Sequence, residues 1–84
     1  MSVERPPVSP RASHPSIDAL TERERDVVAG LLRGLTNKRI GEELGISHRT
    51  VEVHRAHVMR KLGTPTLAAL LTAVLPQRNK LSDR

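Results

Sequence analysis

The 84-residue chain contains no cysteine and no phenylalanine, tryptophan or tyrosine. Without thiols, neither a disulfide framework nor a thiolate zinc site can hold so small a fold, so core packing has to suffice. Without aromatic rings there is no platform on which single-strand binders and sheet-surface RNA modules stack bases. Any nucleic-acid role is therefore directed to duplexes. No apolar run approaches the ~20 residues of a membrane-spanning helix, and the N-terminus has no charged segment leading into an apolar one. A soluble, cytoplasmic protein without a membrane partner is expected. Eighty-four residues is room for one small domain, which excludes a two-domain enzyme.

Positive charge is plentiful. Fourteen Lys and Arg against nine Asp and Glu give a formal net charge of +5, which favours an anionic partner, nucleic acid before a membrane surface. Four of the six prolines, Pro6, Pro7, Pro10 and Pro15, fall in the first fifteen residues, where no apolar periodicity is present. Proline restricts itself and the residue before it, so residues 1–16 read as a disordered tail or linker. Residues 17–76 form the working domain, and 77–84, polar beyond the stop at Pro76, read as a frayed tail.

Within the domain, helix signals recur. Thr21 and Glu24 have capping-box spacing, and Val27, Val28, Leu31 and Leu32 make one apolar stripe on a helix ending near Gly34. Thr36 caps a second helix with Ile40 and Leu44 inward, stopped by Gly45. Ser47 caps a third, from His48 to about Leu62, with Val51, Val58 and Leu62 on its core face. Arg49, Val53, Ala56 and Arg60 lie opposite, flanked by Glu52 and His57. A fourth helix starts at Thr66, with Thr64 as a competing cap, and runs from Leu67 to Leu75. Only Thr72 is polar in that stretch, and a helix apolar all round needs cover on more than one side. A second copy is the simplest cover.

Helix, short glycine-containing turn and helix over about 37–62 is the helix-turn-helix pattern, in which the second helix enters the major groove. More specific are four motifs in order: Leu20-Thr21-Glu22-Arg23-Glu24, Asn37-Lys38-Arg39-Ile40, Thr50-Val51-Glu52-Val53-His54-Arg55 and Met59-Arg60-Lys61-Leu62. Together they resemble the LuxR/FixJ-type DNA-binding domain, also called the NarL-type effector domain of two-component response regulators. The likeness covers Ile17 to Leu75 without a gap. It implies an all-α, four-helix domain of a bacterial transcriptional regulator. Such a domain binds double-stranded promoter DNA as a homodimer, with the third helix reading bases and the fourth making the dimer contact, here Leu67, Leu70, Leu71, Val74 and Leu75. It needs no cofactor.

By the family pattern, Glu52, Val53 and Ala56 sit where base edges are contacted. Chemically, Glu52 can accept from cytosine N4, Val53 and Ala56 can pack on thymine methyls, and Arg49 and Arg60 can reach guanine or phosphate. A merely solvated helix face is the competing reading of all five. Asn37, Lys38, Ser47, Thr50, His54 and Lys61 look like phosphate-side groups, which position without specifying; for Thr50 and His54 a local role in holding the helix pair is an equal alternative. Arg55 is expected to snorkel or to pair with a carboxylate such as Asp26. Family members with lysines where Glu52 and Ala56 stand have a more basic reading helix, so the target operator cannot be copied from them.

Other chemistry finds little support. His54 and His57 are three apart with His48 elsewhere and no carboxylate completing a set, so no metal is expected. Glu42 and Glu43 diverge on a short helix and no nucleophile has an oriented base, so no enzyme is expected. An interaction module is the alternative, with the Leu67–Leu75 helix docking on a receiver domain or RNA polymerase. A fragment of a longer regulator and a free-standing one fit the chain equally.

Overall fold

Four side-chain hydroxyls, on Thr21, Thr36, Ser47 and Thr66, each accept a hydrogen bond from the backbone N–H three residues on, and each opens a helix. The computed structural model describes residues 16–82. Its helices are α1 (Glu22–Leu32), α2 (Asn37–Leu44), α3 (His48–Leu62), α4 (Leu67–Val74) and a short α5 (Arg78–Ser82). Single 3-10 turns precede α1 at Ile17–Ala19 and follow α4 at Leu75–Gln77. The described residues contain no strand, and the fold is all-α. Except for Ser16, the tail expected over 1–16 lies outside the described residues.

At Thr21 the capping box is complete: the Glu24 N–H donates to Thr21 Oγ1 at 3.1 Å and the Thr21 N–H donates to Glu24 Oε1 at 2.9 Å. Thr66, not Thr64, caps α4. The Thr64 hydroxyl is buried and finds no protein partner among the described residues.

The turn between α2 and α3 depends on two glycines. Gly45 ends α2 at φ 73°, a left-handed conformation that costs glycine nothing. Gly41 matters for space: a β-carbon there would stand 2.6 Å from the Ile46 carbonyl oxygen and 3.3 Å from the His48 nitrogen. Its bare backbone lets α2 pass directly over the turn.

Every α-helix contributes to one core. Val27, Val28 and Leu31 enter from α1, Ile40 from α2, and Val51, Val58 and Leu62 from α3, the face expected of each helix. Two parts of the chain differ from expectation. Leu70 and Val74 are fully buried in the protomer's own core, which leaves them no surface to offer a second copy; the large apolar side chains left exposed are Leu67 at the start of α4 and Leu75 just past its end, with Leu71 half-buried. Residues 78–82 are helical, not frayed, and Leu81 is a core residue. Pro76 does not stop the chain but falls in the first turn of a new helical segment, where its missing N–H is not needed.

The two ends of the domain are joined there. Gln77 Oε1 accepts from the Ile17 N–H at 3.0 Å, and Lys80 Nζ meets Asp18 Oδ2 at 3.2 Å. A lone leucine in a polar stretch has no periodicity, which is why local pattern overlooks the segment.

Candidate nucleic-acid interface

Successive residues of α3 turn by about 100°, so burying Val51, Val58 and Leu62 necessarily drives Arg49, Glu52, Val53, Ala56 and Arg60 outward. All five are exposed, and Val53, an apolar side chain, remains 48% exposed. At about 1.5 Å per residue the face from Arg49 to Arg60 is roughly 16 Å long.

The distribution of unpaired charge singles out this side of the molecule. Arg23 pairs with Asp26, Arg33 with Glu43, Arg39 with Glu42 and Glu43, and Lys80 with Asp18. Arg25 donates to the Ile17 carbonyl, and Arg55 and Lys61 also have partners. Arg78 donates to the Leu75 carbonyl. Among the described residues, the lysines and arginines without a hydrogen bond or ion pair are Lys38, at the opening of α2, and Arg49 and Arg60, near the two ends of the α3 face. Glu52 between them is also unpaired. Among the described residues, the cations left without any partner thus all lie on the helix-turn-helix unit.

The residues expected on the phosphate side are only partly brought together. Ser47 Oγ accepts from the Thr50 N–H at 3.1 Å and lies 3.0 Å from Thr50 Oγ1, so both hydroxyls are engaged in the α3 cap. His54 is half-buried. Asn37 accepts from Arg55 Nη1 at 3.1 Å; Arg55 is therefore bound to an amide on α2 rather than to Asp26. Lys61 departs furthest from expectation. Its ammonium lies 2.7 Å from Glu24 Oε1, pointing toward α1.

That contact belongs to a junction not foreseen in the sequence. Glu24 is nearly buried, and its Oε1 receives both the Lys61 ammonium and the Thr21 N–H, while His57 Nδ1 stands 3.8 Å from Oε2. Burial pushes this carboxyl up, but the hydrogen bond and charge of Lys61 and the Thr21 hydrogen bonds outweigh it and hold the group below its ordinary value of 4.5. A capping-box acid thereby ties the start of α1 to the last turns of α3. The only sequence signal is a carboxylate and an ammonium that each suit another role.

A depressed folded pKa places this contribution to stability above the unfolded value and removes it as pH falls through the folded one. The thermal midpoint should accordingly stay level from pH 7 to pH 5 and decline below about pH 4.5. Glu24→Gln keeps an oxygen for Thr21 but loses the charge. Because Lys61 is 37% exposed, the neutral-pH loss is small, ~1 kcal/mol or ~4–8 °C, and the acid decline becomes shallower. An unchanged acid limb would separate Glu24 from it.

Among the described residues no group of His, Asp and Glu is arranged to hold a metal ion, and no single helix is long and apolar enough to cross a membrane. Residues 18–74 match the model of the family described as bacterial regulatory proteins, luxR family. The chain is 48% identical over 59 residues to the transcriptional regulatory protein FixJ of Rhizobium meliloti, covering 70% of this chain and 29% of that protein. It is 54% identical over 46 residues to the transcriptional regulatory protein UhpA of Escherichia coli, with coverages of 55% and 24%. To the nitrate/nitrite response regulator protein NarP of Escherichia coli it is 42% identical over 67 residues, with coverages of 80% and 31%. The chain thus spans less than a third of the length of these relatives. With the match extending from the first 3-10 turn to the end of α4, the chain belongs to the luxR family of bacterial regulatory proteins.

Proposed function

We propose that this domain binds double-stranded promoter DNA in a sequence-dependent way, with α3 lying in the major groove and a second copy joined through the exposed strip of α4. The observation that carries this reading is the placement of unpaired cations at Lys38, Arg49 and Arg60 around an outward apolar patch of Val53 and Ala56. A helix with its side chains is about 10–12 Å across and the major groove about 12 Å wide, so the outer face can reach base edges. Arg49, Arg60 and Lys38 then neutralise phosphates or meet guanine, Glu52 accepts from cytosine N4, and Val53 and Ala56 cover thymine methyls. The relatives' names, transcriptional regulators and a response regulator, fit the same role.

Counterion release provides the test. With Lys38, Arg49 and Arg60 of each copy on phosphate, a bound dimer has a slope of roughly −5 in log affinity against log salt. Lys38→Ala and Arg49→Ala each make that slope shallower by about 0.9 per monomer. Lys61→Ala leaves it unchanged, because that ammonium is held by Glu24. If instead Lys61→Ala flattens the slope while Lys38→Ala and Arg49→Ala do not, the duplex lies against another face.

A further inference from the structure

Arg55 is a long cation on the helix assigned to the groove, yet the structure turns it to a neutral partner. Its Nη1 donates to Asn37 Oδ1 at 3.1 Å in a part-buried hydrogen bond between residues 18 apart in sequence. A guanidinium has donors only, so the oxygen of the Asn37 amide must face Arg55 and its NH2 must face away. Asn37 opens α2 beside Lys38, whose exposed ammonium has no partner among the described residues. An unconstrained amide there would sample both orientations in the free protein, and an approaching phosphate would have to select the one that presents its NH2. The guanidinium removes that choice.

We infer that Arg55 is a positioning residue for duplex binding: without touching DNA, it holds the Asn37 amide so that its NH2 is presented to the backbone phosphate next to Lys38. The inference rests on the duplex-binding reading above and adds a polar layer behind it. Because the group offered is a neutral amide, the effect appears in affinity and not in counterion release. Arg55 itself, occupied from α2, contributes no phosphate contact.

The experiment is a double-mutant cycle in the full chain, titrating with a duplex selected for tight binding from a random pool, at several salt concentrations. Arg55→Met should weaken binding by ~3–10-fold with an unchanged salt slope. In an Asn37→Ala background, Arg55→Met should add less than about twofold, because the group it acts through is gone. Asn37→Asp is the second arm. It keeps an oxygen for Arg55 while replacing the NH2 by a carboxylate oxygen that repels phosphate, so affinity must fall although helical content and thermal midpoint do not.

A slope made shallower by about 0.9 per monomer in Arg55→Met, or a full effect of Arg55→Met after Asn37→Ala, would make Arg55 a phosphate ligand and overturn the inference. So would wild-type affinity in Asn37→Asp, which decides the matter even if Arg55→Met folds poorly. Failure of the underlying reading is recognised separately, by Lys38→Ala and Arg49→Ala leaving duplex binding untouched.

Discussion

Leu70→Ala should destabilise the domain by about 2–5 kcal/mol, because it empties a fully buried position in a core with few layers to relax into the space. Whole domains are stable by only ~5–15 kcal/mol, and one of this size sits low in that range, so much of the variant is expected to be unfolded at 37 °C. The urea midpoint measures it, with an unchanged m-value marking a true loss of stability. Leu75→Arg, one residue past the end of α4, is the matching control. Leu75 is 46% exposed, so the fold should hold within about 0.5 kcal/mol, while the second copy is lost and duplex affinity falls with it. The reverse pattern, with Leu70→Ala stable but monomeric and Leu75→Arg unfolded, would mean that α4 is rotated relative to the core.

The contrast between these two leucines marks where sequence stops being informative. Capping is local chemistry, a hydroxyl and an N–H three residues apart, so Thr21, Thr36, Ser47 and Thr66 announce their helices from composition and spacing. The inward side of α3 is equally legible, since Val51, Val58 and Leu62 make the one long stripe of large apolar side chains on that helix. The run Leu67–Leu75 carries apolar residues on every side, and periodicity cannot choose between them. Packing makes the choice, burying Leu70 and Val74 and leaving Leu67 and Leu75 outside.

Polar partnerships are harder still to read. Glu24 and Lys61 are 37 residues apart, and Asn37 and Arg55 are 18 apart. Each of the four has a plausible solvent-facing or phosphate-facing role alone. What turns Lys61 toward Glu24 is the tertiary placement of the α1 N-terminus beside the end of α3, which no single segment encodes. The residues that kept their expected exposure, Arg49, Glu52, Val53, Ala56 and Arg60, are those whose direction follows from helical geometry once Val51, Val58 and Leu62 are inward.

At Val53 the expected effect on binding is larger than at any charged position of that face. Val53→Asp places a carboxylate midway along a surface that would be enclosed by groove walls lined with phosphate, where it loses water and can pair with Arg49, four residues earlier, only by taking that cation from phosphate. A desolvated, unpaired charge costs several kcal/mol, so affinity should drop by ~100-fold or more for every duplex tested. The free protein should be nearly unaffected, because the position is half exposed and surface changes shift stability by about 0.5 kcal/mol or less. Val53→Ala, by contrast, should lose only the methyl contact. Its effect should appear at thymine positions alone and vanish when thymine is replaced by uracil in the duplex. Glu52→Ala should change the preference at a neighbouring base pair by ~1–3 kcal/mol with little general loss. Titration of the three variants with matched and substituted duplexes separates exclusion from the groove, loss of a methyl contact and loss of a base acceptor. Wild-type affinity in Val53→Asp would place the outer face of α3 away from DNA, since no groove geometry accommodates an unneutralised carboxylate there without penalty.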